Sequence, residues 1–351
     1  MTESSVSDRN PDKPVANIAV VVTTIARPTP ALVQIQRMVD AKAGIMLVVG
    51  DKKTPEGFDL RGAHFMDVCS QLNSTWQLAR KLGFNHYARK NLGYLEAISR
   101  NATLIIETDD DNFPQPSFLD IPGPIVPCRT AGGDRWINAY RYFTDRKVWP
   151  RGFPLDHVLN APPVLSNDLV PRYCPIQQSL ADGDTDVDAI YRMTVGHPVV
   201  FEQRPPVALT PGSICPINSQ NTAWWPEAYP LLYLPSNCSF RMTDIWRGFV
   251  AFRIAAAQGW HILFHSATTE QERNPHDLVK DFEQEVDGYL KNAGFVEILA
   301  KIKLPTGREV IPESILLCYE ALCKARIFPH RELDLVRCWI SDIDRALGGR
   351  R

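Results

Sequence analysis

Three short apolar runs, rich in β-branched residues, constrain the fold of this chain most strongly. The runs cover residues 17–24, 45–49 and 102–107. Their length and composition are typical of buried parallel strands. Between them, apolar residues recur at helical spacing over residues 31–41, 74–82 and 87–100. This alternation predicts an α/β fold with a largely parallel sheet flanked by helices.

Polar residues stand at the end of each predicted strand. Thr23 lies at the end of the first run and Arg27 just after it. Asp51 follows the second run, and residues 109–111 follow the third. Open α/β sheets bind ligands beyond the carboxyl ends of their strands. We therefore expect these side chains to converge on one rim of the sheet.

The three consecutive carboxylates Asp109, Asp110 and Asp111 are the most informative group. Adjacent carboxylates repel one another, which raises their pKa values unless a cation compensates. Mg²⁺ and Mn²⁺ take carboxylate oxygens and also bind phosphate oxygens. The triplet therefore predicts a site for Mn²⁺ or Mg²⁺, with a solvated acidic turn or a helix cap as the alternative.

Residues 87–96 place two cations, Arg89 and Lys90, at the start of a predicted helix, followed by Tyr94. Basic groups there oppose the helix dipole. Such a placement favours a bound anion such as phosphate. Ordinary surface charge is the alternative.

Five further residues are candidates for chemistry. Arg151 lies between aromatic residues in a Pro-rich segment, where a guanidinium suits phosphate or carboxylate recognition, and a structural stack on Trp149 is the alternative. In the acidic segment 182–188, Asp186 and Asp188 could bind an acceptor hydroxyl or act as a base, and a solvated turn is the alternative. Asp244 either caps a helix or deprotonates an acceptor. His265 follows an apolar run and could complete the metal site, although a structural histidine is the alternative.

Composition excludes several classes of protein. The chain has 351 residues and a formal net charge of -2, without the basic excess that a nucleic-acid binder needs. Its eight cysteines form no CxxC pair, which argues against a zinc ribbon. Residues 1–16 are polar and lack the apolar core of a secretory signal, and no run is long enough for a membrane span. A cytoplasmic location is expected.

The pattern changes after the acid triplet. Residues 114–235 are rich in Pro and aromatic residues and predict short strands and ordered loops. Helical patterns return at residues 242–258, 277–292 and 312–324. We predict a disordered lead over 1–16, a catalytic domain over 17–292 and a helical extension over 293–351. The catalytic domain would divide into a nucleotide-sugar half, 17–113, and an acceptor-side half, 114–292.

Six segments taken in order resemble the STELLO glycosyltransferases. They are residues 87–94, 107–112, 148–155, 186–192, 217–222 and 241–247. The resemblance implies a GT-A-like, Rossmann-related mixed sheet with Asp109–Asp111 as its DXD-type metal motif. A fainter similarity to the reversibly glycosylated polypeptides, which are UDP-arabinopyranose mutases, rests on the acid triplet and on Arg151–Pro154. In that family the corresponding arginine becomes glycosylated.

The resemblance and the residues together predict a metal-dependent glycosyltransferase. Its donor would be a nucleoside diphosphate sugar, with UDP as the expected nucleotide, and its acceptor is unknown. The predicted donor-binding residues are Thr23, Arg27, Asp51, Arg89, Lys90, Tyr94, Asp109 and Asp110. The predicted metal ligands are Asp109, Asp111 and His265, and the predicted catalytic residues are Asp244, Asp188 and Arg151.

Two alternatives stay open from the sequence. One is a sugar-nucleotide mutase with Arg151 as glycosyl carrier. The other is an inactive nucleotide-sugar-binding protein. A homo-oligomer is left open, and neither nucleic acid nor a membrane span is expected.

Overall fold

The predicted apolar runs form the parallel part of one large mixed sheet. The structure is a computed structural model that describes residues 17–196, 198–273 and 277–348; the predicted disordered lead, 1–16, lies outside them. The strands are β1 (Ile18–Thr24), β2 (Ile45–Gly50), β3 (His64–Met66), β4 (Leu104–Thr108), β5 (Asn112–Pro114), β6 (Ile125–Ala131), β7 (Val170–Tyr173), β8 (Ile176–Gly183), β9 (Val207–Leu209), β10 (Asn221–Trp224) and β11 (Ile262–Gln271). The three runs correspond to β1, β2 and β4.

Helices cover the sheet and form the C-terminal part of the chain. They are α1 (Pro30–Ala41), α2 (Val68–Asn73), α3 (Leu78–Lys81), α4 (Lys90–Ser99), α5 (Ala189–Thr194), α6 (Thr243–Ala257), α7 (Leu278–Ala300), α8 (Ile311–Lys324) and α9 (Arg331–Leu347). Of the helix predicted over 74–82, only the short helix α3 is present, and α2 ends just before that range. The predicted boundary at residues 292 and 293 falls within α7, and the domain division stays a prediction.

The strand order is β3-β2-β1-β4-β10-β8-β11-β9-β6-β7, with β5 beside β11. Strands β3, β2, β1 and β4 are parallel to one another. Strand β10 runs antiparallel to both of its neighbours, and β11 runs parallel to β8. The predicted α/β fold is therefore confirmed: a mixed sheet flanked by helices, with a helical C-terminal part.

Helix α4 sits unusually close to the parallel strands because of Gly93. A Cβ there would lie 2.6 Å from Val21 Cγ1 and 2.8 Å from Val49 Cγ2. Side chains larger than hydrogen would push the helix off the sheet. The close approach fixes the start of α4, including Lys90, beneath the carboxyl ends of β1 and β4.

The C-terminal helices pack back onto the N-terminal part of the chain. Asp342 of α9 is fully buried and accepts hydrogen bonds from the backbone N–H groups of Gln77, at 3.0 Å, and Leu78, at 2.8 Å. It thus acts as a cap for α3 supplied from a distant helix. Within the described ranges, no helix combines the length and the apolar character needed to cross a membrane.

Replacing Asp342 with Ala should lower the free energy of unfolding by about 2 kcal/mol, because the buried N–H of Leu78 and the partly buried N–H of Gln77 lose their acceptor. Denaturant unfolding measures the change. Arg337→Ala on the same helix, where the side chain is 55% exposed, should cost about 0.5 kcal/mol or less. Equal stability of Asp342→Ala and the natural chain would contradict this role.

Candidate active site

A polar cleft opens at the carboxyl ends of β1, β2 and β4. It consists of two adjoining pockets of about 240 and 230 Å³. Both pockets are lined by Thr23, Tyr87, Asp110 and Phe240. The first continues to the acid triplet and to arginines, and the second continues to Asp51. The predicted convergence of strand-end residues on one rim is therefore present for Thr23, Asp51 and the triplet.

The three carboxylates of the triplet all line the first pocket, each with a different partner. Lys90 Nζ donates to Asp109 Oδ1 at 2.9 Å. The Thr24 hydroxyl donates to Asp110 Oδ2. Gln271 Nε2 donates to both oxygens of Asp111, at 3.3 and 3.2 Å. These contacts fix the position of each carboxylate in the lining of the pocket.

Burial and mutual repulsion raise two of these pKa values. The pKa of Asp111 rises to about 6, first because of burial and then because of Asp109. Burial also raises the pKa of Asp110, although the hydrogen bond from Thr24 opposes the shift. A divalent cation would relieve this cost, so the donor set fits a hard metal ion.

The triplet by itself does not form a complete metal site. Within the described residues, no three His, Cys, Asp or Glu side chains already converge as an ion site. Mg²⁺ commonly binds through one or two carboxylates plus substrate phosphates, so an incomplete protein site is compatible with it.

His265 does not join the triplet. It lies six positions before Gln271 on β11, which is roughly 20 Å of strand. Its ring is half-buried, and its Nε2 lies 2.8 Å from Gln177 Oε1. The structural alternative for this histidine is the one that the geometry supports.

Lys90 and Tyr94 lie beneath the cleft rather than in its lining. The Lys90 ammonium is fully buried and also donates to the carbonyl oxygens of Thr108 and Ser219. The Tyr94 hydroxyl donates to Glu107 within the core. Lys90 therefore positions Asp109, and Tyr94 supports the floor of the cleft.

The Asp51 pocket is the more apolar part of the cleft. Asp51 accepts hydrogen bonds from the backbone N–H groups of Lys52, at 2.7 Å, and His86, at 3.1 Å. Arg89 lines the same pocket, with its Nε bonded to Gln71 and its guanidinium over the Phe84 ring. Among the described residues, neither His86 Nε2 nor Arg89 Nη2 has a hydrogen-bond partner.

Arg27 is exposed and lines neither pocket. Its backbone belongs to the bend between β1 and α1. Sequence position alone placed Arg27 at the rim, but the residue is not part of the lining of either pocket.

Arg151 is clamped between two carboxylates on the wall of the first pocket. Its Nε and Nη2 donate to Asp186 at 2.8 and 2.9 Å, and its Nη1 and Nη2 donate to Asp244 at 3.1 and 3.0 Å. Nη1 also donates to the carbonyl of Arg241. Burial would lower the pKa of Arg151, but Asp186 and Asp244 outweigh it and raise the pKa well above its usual range.

This clamp changes the expected roles of Arg151 and Asp244. All five guanidinium N–H groups are used, so a neutral, nucleophilic Arg151 is strongly disfavoured. Burial would raise the pKa of Asp244, but Arg151 outweighs burial and lowers it. Asp244 also accepts a hydrogen bond from the Tyr87 hydroxyl at 3.1 Å. It is therefore a weak base that stabilises the clamp.

Asp188 lies outside the cleft and caps α5. Its two oxygens accept hydrogen bonds from Tyr191 N and Trp149 Nε1, both at 2.7 Å. The side chain is fully buried. Its neighbour two residues earlier, Asp186, is the carboxylate of that segment that faces the cleft.

Sequence reasoning missed part of the lining. Ser219, Gln220 and Arg241 lie within segments that carried the family resemblance, so the signal was present but not assigned. Gln271 and Arg273 carried no motif signal, because only the pairing of β11 with β5 and β8 brings them to the triplet.

The fold and cleft define an α/β protein with a carboxylate-lined ligand site at the ends of parallel strands. Residues 241–348 match the model of the family described as STELLO glycosyltransferases. Probable glycosyltransferase STELLO2 of Arabidopsis thaliana is 26% identical over 347 residues, covering 92% of this chain and 44% of that protein. Probable glycosyltransferase STELLO1 of the same plant is 25% identical, covering 95% and 46%.

These matches confirm the predicted resemblance to the STELLO glycosyltransferase family. The predicted enzyme class, a glycosyltransferase, is the class that this family's description gives. The chain spans less than half the length of the two plant relatives. The fainter similarity to the reversibly glycosylated polypeptides stays a prediction.

One solved structure with a similar arrangement is glucosyl-3-phosphoglycerate synthase from Mycobacterium tuberculosis, in complex with Mn²⁺, UDP and glucosyl-3-phosphoglycerate. The sequence identity is 11% and the TM-score 0.41, with 82% of this chain and 86% of that chain covered. At this score the similarity carries no argument about function.

Asp244→Ala should lower the free energy of unfolding by about 3–5 kcal/mol, because it leaves a buried guanidinium half-paired. Chemical denaturation measures the loss. Asp287→Ala, where the side chain is 42% exposed in a surface pair, should change stability by about 0.5 kcal/mol or less. A fully stable Asp244→Ala protein would show that the clamp does not support the fold.

Proposed function

We propose that this protein transfers a sugar from a nucleoside diphosphate sugar, with a divalent metal held at Asp109–Asp111. The observation that supports this most directly is the carboxylate triplet in a cleft that continues into the Asp51 pocket. One end of the cleft offers a hard-cation site, and the other offers a more apolar recess. This pairing matches the two chemical parts of a sugar nucleotide.

The recess suits a nucleoside. Its lining combines apolar side chains with the carboxylate of Asp51 and with Nε2 of His86, which has no hydrogen-bond partner in the part of the chain that the structure describes. A ligand hydroxyl or base would satisfy that buried polar atom. UDP is the nucleotide that we propose, and Thr23 and Asp110, which line both pockets, would lie beside its diphosphate.

Asp109 and Asp111 would hold Mn²⁺ or Mg²⁺, which when bound would neutralise charge on the departing diphosphate. Lys90 would act as a positioning residue, because its buried ammonium donates a hydrogen bond to Asp109 and so fixes that carboxylate. Gln271 would orient Asp111 in the same way. We do not propose Asp244 or Asp188 as the base. The oxygens of Asp244 accept hydrogen bonds from Arg151, and those of Asp188 are used in capping α5 and in bonding Trp149.

The mutase alternative receives no support from the geometry of Arg151, since every N–H of that guanidinium is already bonded. An inactive binding protein would use the same cleft, and only turnover separates it from an enzyme. The cytoplasmic location and any homo-oligomer stay predictions.

Asp111→Asn should weaken UDP binding in the presence of Mn²⁺ by about tenfold or more, equivalent to about 1.4 kcal/mol. The reason is that a neutral amide is a poorer ligand for a hard cation. Titration calorimetry with UDP, with Mn²⁺ and with a chelator, measures the effect. Without metal, the variant and the natural chain should differ little.

Asp120→Asn is a matched control, because that side chain is 61% exposed in a surface pair with Lys42. It should bind UDP and Mn²⁺ normally. UDP affinity in the natural chain that is the same with chelator as with Mn²⁺ would refute the metal role. Mn²⁺-dependent UDP binding without hydrolysis or transfer from any UDP-sugar would favour the inactive binding protein.

A further inference from the structure

Two arginines on the wall of the first pocket have no part in the donor site proposed above. Arg241 precedes α6 and Arg273 follows β11, and both line the pocket that holds the triplet. Neither lines the Asp51 pocket. Their side chains are 10% and 11% exposed, so both guanidinium groups are largely removed from water yet border the cleft.

Both guanidinium groups keep unused donors. Arg241 bonds through Nε to Glu285 at 2.7 Å, and among the described residues its buried Nη2 has no partner. Arg273 uses Nε for Gln271 and for the carbonyl of Asp184, and its Nη2 lies 3.5 Å from Asp186. No hydrogen bond within the described ranges uses its Nη1. A buried donor such as Nη2 of Arg241 is normally satisfied, so a ligand is its natural partner.

The local carboxylates are already committed elsewhere. Asp186 gives both oxygens to Arg151 at 2.8 and 2.9 Å, and one of them also accepts from Asn218. Glu285 gives its second oxygen to Ala189 N and the Tyr289 hydroxyl. Asp186 and Glu285 therefore have no further free oxygen left for Arg241 and Arg273. Burial lowers the pKa of Arg273, although the charge of Asp111, the proposed metal ligand, opposes that shift.

Repulsion among the arginines of this wall also favours the binding of an anion. A third arginine, Arg192 on α5, is 5% exposed and bonds to Asp281 at 3.2 Å. Burial, together with Arg273 and Arg241, lowers the pKa of Arg192 to about 9. Burial and Arg241 also lower the pKa of Arg273. A bound anion would offset this repulsion.

We propose that Arg241 and Arg273 bind a phosphate or carboxylate group carried by the sugar acceptor. The inference rests on the proposed donor site: with a nucleoside in the Asp51 pocket and its diphosphate at the triplet, these arginines face the space left for the acceptor. Arginine suits this task because its planar N–H groups match the oxygens of phosphate and carboxylate.

The test uses the full-length chain, Mg²⁺, UDP and inorganic phosphate as the probe. With Mg²⁺ and UDP at saturation, calorimetric titration should show phosphate binding to the natural chain. Arg273→Gln should weaken phosphate binding by about tenfold, while UDP affinity changes by about twofold or less. Arg241→Lys, which keeps a charge for Glu285 but lacks Nη2, should weaken phosphate binding in the same direction. Thermal melting checks that each variant is folded.

The controls separate this site from the donor site. Arg337→Gln, on the exposed face of α9, should bind phosphate as the natural chain does. Equal phosphate binding by Arg273→Gln and the natural chain, or none by the natural chain, would overturn the proposal. Parallel loss of UDP and phosphate would also overturn it, because the arginines would then serve the donor diphosphate. Phosphate binding that depends on Arg273 in a chain that does not bind UDP would support the anion site and refute the proposed function instead.

Discussion

The buried ion pairs of Arg151 with Asp186 and Asp244 are the interaction on which the cleft depends. They join three segments that are far apart in the chain: the Pro-rich loop, the turn after β8 and the start of α6. Each partner alone would carry a large desolvation cost in this position. Together they fix one wall of the cleft opposite the acid triplet.

The two walls differ in how their charges are compensated. On the Arg151 wall, cations and carboxylates are paired through short hydrogen bonds. On the triplet wall, Lys90 pairs with Asp109 and Arg273 acts on Asp111, yet burial keeps the pKa values of Asp110 and Asp111 raised. The uncompensated side is where a divalent ion fits. Arg241 and Arg273 show the opposite imbalance, because these cations have N–H groups that donate to no protein partner within the described residues.

Most of the fold and part of the site could be predicted from local pattern. The strands β1, β2 and β4 follow from apolar runs, the helices α1, α4 and α6 follow from periodicity, and the triplet follows from its place after an apolar run. The assignments to His265, Asp188 and Tyr94 lacked support from the structure for one shared reason. Each residue has a nearby polar partner that the sequence does not reveal, so its side chain turns to that partner and not to the cleft.

The sequence by itself determined the alternation of strands and helices, the position of the acid triplet at a strand end and the resemblance to the STELLO family. These features depend on residues close together in the chain or on ordered motifs. Only the tertiary structure decided which polar side chains face the cleft, and it added Gln271 and Arg273. Strand pairing and helix packing set those neighbours, and contacts between residues up to 160 positions apart, as for Asp111 and Gln271, leave no local signal.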